Sequence, residues 1–235
     1  MPHLWVKRRK AVAEGLGPRE DASGSTPEEA RMPVTSGDPR HGERPLTMWV
    51  RHLEERCPEY RWEIVNGGIV ASPQRDGPHA RTLTRIMRRF IAAGLDDGET
   101  GVLQGVGLSL PTGAEDFAVP DLAVVNADID EHRAGRSKSY DPACFRLVLE
   151  VTAESRGADL GAKVAAYAGA KVPVYVIVDR EHQRLHVLTD PVGNEYASHR
   201  FHSPGQQVTL PGSIGSKVTL DVAEILRAGR WRTSG

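Results

Sequence analysis

Two acidic residues of this sequence stand where a carboxylate is costly. Asp121 directly follows Pro120 and opens the apolar run Leu122 to Val125, and Glu150 follows three aliphatic residues inside the segment Arg146 to Thr152. An ionised carboxylate in such a strand is expensive to bury unless a cation or hydrogen bonds compensate. Two neighbouring strands that bring one carboxylate each to the same sheet edge make a hard-oxygen site suited to Mg²⁺ or Mn²⁺. Strand alternation turns the Val151 side chain to the opposite face, but its backbone carbonyl lies in reach as a third oxygen ligand. The same residue types also suit a Glu150–arginine ion pair and a plain strand-entry aspartate, so the carboxylates alone leave both readings open.

Lys163 adds the missing cation. Asp159, Lys163 and Tyr167 fall at i, i+4 and i+8 on the helix expected after the Glu150 strand, which puts them on one polar stripe. A lysine there points back over the strand ends, where it would orient an attacking water or hold the charge that develops on phosphate. An exposed Asp159–Lys163 helix pair, worth a few tenths of about 1 kcal/mol, is the alternative.

These residues need elements to hold them. A helix is expected around Leu46–Glu55, closed by Pro58, and then a hairpin over Tyr60–Val70 that turns at Asn66-Gly67, the dipeptide that best tolerates positive φ. Pro73 to Pro78 reads as loop and His79 to Ala93 as an amphipathic helix. Leu83, Ile86, Met87, Phe90 and Ile91 share one face of it, opposite Arg81, Arg85, Arg88 and Arg89. Strands are expected over Val102–Leu110 and Val119–Asn126, with a turn at Pro111-Thr112-Gly113. A loop carrying His132, Arg133, Arg136 and Lys138 follows, then a strand over Phe145–Thr152, a helix over Ala158–Ala170 and a strand over Val174–Val178. Short strands turn at Pro191–Asn194 and Pro211–Gly215 before a last helix near Val222–Ala228. The alternation predicts a mixed α/β fold, a central sheet flanked by helices, with an N-terminal helix-hairpin and a C-terminal β extension.

Composition bounds the function classes. The 235 residues carry 39% hydrophobic and 26% charged side chains, which suits one globular domain, over residues 45–230, with a tail attached. Residues 1–44 lack a packable apolar pattern and read as a disordered N-terminal tail. A net charge of −1 shows no global basic excess, so DNA contacts must come from local patches. Candidates are His79, Arg81, Arg85, Arg88, Arg133, Arg136, Lys138 and Tyr167, although the arginine stripe also suits a solvated helix face. Cys57 and Cys144 are isolated, which points to reduced, cytoplasmic chemistry without a thiolate zinc site. The run Lys7–Lys10 has no apolar stretch after it to make a signal peptide, and Val174–Val178 is too short to span a bilayer. No His-Glu-x-x-His, phosphate-binding loop or Gly-x-Ser-x-Gly elbow occurs, and no organic cofactor is expected.

The segments Phe117–Val125, Leu147–Asp179 and Trp62–Gln74 together resemble the Uma-two family of restriction-endonuclease-like proteins, placed in the PD-(D/E)xK nuclease superfamily. The resemblance runs from about Leu46 to Leu226. It implies a restriction-endonuclease-like fold, with Asp121 and Glu150 as metal ligands and Lys163 as the catalytic lysine, moved onto the helix from the strand position that Thr152 holds. It further implies that Glu63 completes the acidic cluster and that His79 opens the first core helix. The expected function is metal-dependent endonuclease hydrolysis of DNA phosphodiester bonds, with Mg²⁺ or Mn²⁺ as cofactor and DNA, and a homodimer, as partners. A catalytically inactive nucleic-acid-binding or protein-interaction module on the same fold is the alternative, and hydrolysis of another phosphoester is a third reading.

Overall fold

The computed structural model of the chain describes residues 45–73, 75–134, 139–152 and 157–230, so the expected tail and the candidates Arg136 and Lys138 lie outside the described residues. Helix α1 (Leu46–Arg56) leads into strands β1 (Tyr60–Val65) and β2 (Gly68–Pro73), paired antiparallel as the Asn66-Gly67 turn dictates. Asn66 and Gly67 have φ of 51° and 66°, the pair of positive values a two-residue hairpin requires. Strand alternation then divides β1 between two environments. Trp62 and Ile64 pack with Val50 of α1 and with Phe117, while Arg61 and Glu63 turn to the other side.

Helix α2 (Gly77–Ala92) begins two residues before His79. Asp76 caps it by accepting the His79 N–H at 2.6 Å, and Pro78 sits in the first turn, where its missing N–H costs nothing. Leu83, Ile86 and Phe90 are buried on one face, at the spacing the sequence pattern requires.

The two strands expected next are both interrupted. Val102–Leu110 divides into β3 (Thr100–Leu103) and β4 (Gly107–Ser109), while the strand expected over Val119–Asn126 is shortened to β6 (Leu122–Asn126), with a separate short strand β5 (Phe117–Ala118) before it. Strand β3 pairs with β6 in one sheet, and β4 pairs with β5 in another. A two-stranded ribbon thus passes from one sheet into the other. Each strand breaks at a residue that a continuous ladder tolerates poorly: Gly105, at φ 65°, and Pro120, which has no N–H to donate.

Strands β7 (Arg133–Ala134) and β8 (Ser139–Tyr140) complete the first sheet, in the order β2-β1-β5-β4-β8-β7. The second sheet contains β9 (Phe145–Thr152), β10 (Val174–Asp179), β11 (Arg184–Val192) and β12 (Glu195–His202) in the order β12-β11-β10-β9-β6-β3. Only β9 and β10 run parallel in that sheet, joined by helix α3 (Gly157–Gly169) as a parallel crossover demands. Strands β13 (Gln207–Thr209) and β14 (Thr219–Asp221) form a separate hairpin before α4 (Val222–Ala228). The mixed α/β class holds, with two six-stranded sheets where one central sheet was expected.

The second sheet is covered on both faces. Leu147, Leu149, Val174, Val176 and Val178 pack with α2 and α4, while Val148, Tyr175 and Ile177 pack with Ala166, Tyr167 and Ala168 of α3. Strands buried on both faces read as unbroken apolar runs, which is why a carboxylate at position 150 stands out. Among the described residues, no helix is long and apolar enough to cross a membrane.

Candidate active site

The ribbon crossing brings Asp121 beside Glu150. Leu122 of β6 pairs with Leu149 of β9 in antiparallel register, so Asp121 lies one step beyond that pair, alongside Glu150. Asp121 precedes β6 rather than lying within it, because Pro120 ends the ladder. Its Oδ2 accepts the Val151 N–H at 2.8 Å, which fixes the side chain against β9. The structure thus shows Val151 holding Asp121 through its amide.

Glu63 enters from β1. It is fully buried, and its Oε1 accepts the Val119 N–H at 2.6 Å. Val119 lies in the break between β5 and β6, so the opening between the sheets is itself tied to Glu63. The other oxygen, Oε2, is buried without a hydrogen-bond partner.

Lys163 points inward from α3, only 12% exposed. Its ammonium donates to Glu150 Oε1 at 2.6 Å and to Glu63 Oε1 at 3.0 Å. Tyr167, one turn further on, donates its hydroxyl to Glu150 Oε1 at 3.0 Å. Lys163 and Tyr167 share the inner face of α3, whereas the Asp159 side chain lies outside what the structure describes; Tyr167 is fully buried and faces Glu150, so it offers no surface to DNA.

Arg61 and Arg75, which the sequence reading did not single out, are the other members of the cluster. Arg61 shares the Glu63 face of β1 and places Nη1 2.7 Å from Asp121 Oδ1 and Nη2 3.7 Å from Glu150 Oε2. Arg75, between β2 and α2, donates through Nε and Nη2 to the same Asp121 Oδ1, at 3.1 and 2.8 Å. The period-2 pattern of β1, with Arg61 two residues before Glu63, was the available signal for the first; the second lies in a loop without periodicity. His79 is buried, its Nε2 3.2 Å from Asp121 Oδ2 without the alignment of a hydrogen bond. It faces the cluster rather than solvent.

The surroundings push the two strand carboxylates apart. Burial raises Asp121, but the contact with His79 and the charges of Arg61 and Arg75 outweigh it and hold the carboxyl well below the usual range. Glu150 goes the other way: burial, joined by the charges of Asp121 and Glu63, raises it more than Lys163 and Arg61 lower it. Burial lowers Lys163, but Glu150 and Glu63 overcome that and raise it, so the ammonium stays charged. Titratable groups driven in opposite directions within one buried cluster are a mark of a functional site.

The remaining candidates are placed elsewhere. Arg81 donates to the Ala228 and Arg230 carbonyls, and Arg85 and Arg89 both pair with Glu224 of α4. These three bind helix to helix. Arg88 is exposed, and Arg133 is exposed with its guanidinium 6.0 Å from the Tyr140 ring centroid.

Carboxylates from β1, β9 and the start of β6, met by a lysine from the crossover helix, define a restriction-endonuclease-like domain. Residues 50–223 match the Uma2 family, described as "Putative restriction endonuclease", and the chain belongs to that family. The crystal structure of a "putative nuclease" of the DUF820 group from Anabaena variabilis has a similar fold. Its TM-score is 0.58 at 12% identity, over 72% of this chain and 91% of the other. No curated protein matches the chain significantly.

Proposed function

We propose that this protein is a metal-dependent endonuclease that hydrolyses DNA phosphodiester bonds at the Glu63–Asp121–Glu150–Lys163 cluster. One observation supports this reading most: Glu63 and Glu150 are buried around a single lysine ammonium, with Asp121 one step beyond. Burying charges in this way gains a fold little, because well-packed apolar residues of similar volume are often as stabilising or more so. Membership in the Uma2 family, with its nuclease description, supports the same reading.

The donor set suits a small divalent cation. All three side chains offer hard oxygen, and Glu63 Oε2 is a buried acceptor with no partner. Among the described residues no ready-made metal cage of three or more His, Cys, Asp or Glu stands assembled. The physical reason is local: Lys163 stands between Glu63 and Glu150, and Arg61 between Asp121 and Glu150. Asp121, Glu150 and Glu63 would hold Mg²⁺ or Mn²⁺, with the Val151 carbonyl as a further candidate. The bound ion would polarise the phosphate and lower the pKa of a water. Lys163 orients Glu150 and supplies positive charge for the developing phosphate charge. Tyr167 and the Val151 amide fix the two strand carboxylates. Cutting both strands of a duplex would call for two such sites, hence a homodimer.

A second reading is favoured by the charge balance. Three carboxylates face two guanidiniums and one ammonium, which suits a DNA-binding or protein-interaction module that has lost turnover. The two readings separate on one assay with purified protein and supercoiled, linear and single-stranded DNA. The nuclease reading expects cleavage only with Mg²⁺ or Mn²⁺, lost in Asp121→Asn and Glu150→Gln. DNA retention without cleavage in any metal would establish the module instead.

A further inference from the structure

We infer that Arg75 is a displaceable counter-ion. It caps the Asp121 oxygen that a metal needs, and it leaves that oxygen when a divalent cation binds. The inference rests on the metal reading given above.

The argument starts from the two oxygens of Asp121. Oδ2 is committed to the fold, because it accepts the Val151 amide at 2.8 Å and has His79 Nε2 at 3.2 Å. Oδ1 is the oxygen left for a cation, yet it is crowded by three guanidinium nitrogens: Arg61 Nη1 at 2.7 Å, Arg75 Nη2 at 2.8 Å and Arg75 Nε at 3.1 Å. A carboxylate oxygen that already accepts several charge-assisted hydrogen bonds has no lone pair to give to a metal. One arginine must withdraw before Asp121 can ligate.

The structure distinguishes the two arginines. Arg61 projects from a paired position of β1, with Ser72 opposite it, and spans Asp121 and Glu150 together. Its Nε is buried without a hydrogen-bond partner, and the charges of Glu150, Glu63 and Asp121 hold it against the cost of burial. Withdrawing it would strip two carboxylates at once. Arg75 lies outside regular structure between β2 and α2, with a side chain 31% exposed, and both of its hydrogen bonds go to one oxygen. It can swing into water while Arg61 still compensates the buried Asp121 carboxylate, so its release costs less than that of Arg61. A released guanidinium at the rim of the site is also suited to pair with a substrate phosphate. The same side chain therefore opposes the metal and favours the nucleic acid.

The consequence is a gain of affinity on mutation, which damage to the fold does not produce. Mn²⁺ binding to the full chain would be measured by calorimetry for wild type, Arg75→Gln, Arg75→Lys and Arg88→Gln, each checked for an unchanged melting transition without metal. Arg75→Gln should bind Mn²⁺ tighter by about two- to five-fold, the scale of one partly exposed ion pair. Arg75→Lys, which keeps the charge without the fork of donors, should fall between. Arg88→Gln removes an equal charge from the exposed face of α2 and should leave affinity unchanged. Asp121→Asn should abolish binding in the wild-type and Arg75→Gln backgrounds alike. Unaltered or weaker binding by Arg75→Gln, with Asp121→Asn still abolishing it, would overturn the inference and leave the metal reading standing. An equal gain in Arg88→Gln would reduce the effect to bulk charge and overturn it too. Absence of Mn²⁺ binding in every variant, or its survival in Asp121→Asn, would remove the metal reading and the inference together.

Discussion

The Lys163 ammonium and the Glu150 carboxylate meet at 2.6 Å across 13 positions of chain, buried between α3 and β9. The contact exists because α3 returns directly over the strand it follows, so a side chain on its inner stripe reaches back to the strand end. Lys163→Ala should remove the one ammonium between two buried carboxylates, leaving Glu63 with the Val119 amide and Glu150 with Tyr167 and the more distant Arg61. The expected loss is about 3–5 kcal/mol of unfolding free energy, the scale for breaking one side of a buried pair. Cleavage should fall by roughly 10²-fold or more, as for loss of one charge contact made in the transition state. Urea unfolding and single-turnover cleavage measure the two effects separately. A stability change below about 0.5 kcal/mol, the scale of a surface pair, would mean the ammonium does not sit between these carboxylates.

Glu150 should make its own pH signature. Burial lifts its carboxyl above the ordinary range against the pull of Lys163 and Arg61. A raised folded pKa means that the native state holds the proton more tightly than the unfolded chain. The associated stability is present below the unfolded value of about 4.3 and is lost as pH rises through the folded value. The melting temperature of Glu150→Gln minus that of wild type should therefore climb with pH above about 4.3, then level off. A difference that falls with pH would show that Lys163 favours the ionised carboxylate by more than burial opposes it.

Asp76 links the helix cap to the site. Its Oδ1 caps α2 at the His79 N–H, and both oxygens pair with Arg180 at 3.0 and 3.1 Å. Burial raises its carboxyl, but the Arg180 and His79 contacts lower it further than that. Because Asp76 stands next to Arg75 and three residues before His79, it sets where both meet Asp121. Asp76→Ala should cost about 1–2 kcal/mol, the upper range for a lost N-cap, and should lower cleavage as well. Asp76→Asn keeps a cap acceptor and should restore most of the stability. Full activity in a destabilised Asp76→Ala would separate the cap from the site.

Much of the architecture is legible in residue order. The Asn66-Gly67 turn, the α2 core stripe of Leu83, Ile86 and Phe90, and the apolar runs of β9 and β10 each follow from local periodicity and turn chemistry. The break of two strands into a ribbon shared by two sheets is not legible in that way, because pairing partners are set by tertiary contacts. Gly105 and Pro120 mark the breaks, but neither says which sheet each half joins. At the site, Asp121, Glu150, Lys163 and Glu63 are visible from burial cost, helix spacing and family resemblance. Arg61 could be placed on the Glu63 face only through the alternation of β1, and Arg75 not at all, since an arginine in a loop reads as surface until the fold shows what it faces.

The arginine stripe gives a contrast between fold and function. Arg85 and Arg89 pair with Glu224 at 3.1 and 2.6 Å, joining α2 to α4 on an exposed surface. Arg85→Ala and Arg89→Ala should leave the salt dependence of DNA binding unchanged, because no phosphate contact is removed. A fall of about one in the slope of log affinity against log salt, the mark of one lost phosphate contact, would place those arginines on DNA instead.

The central claim is that the three carboxylates hold a divalent ion, and anomalous diffraction from crystals soaked in Mn²⁺ tests it most directly. The account predicts a peak in bonding contact with Asp121 Oδ1, Glu150 and Glu63 Oε2, with Arg75 swung away from Asp121. Crystals saturated with Mn²⁺ that show no peak there, with Arg61 and Arg75 still on Asp121, would contradict it.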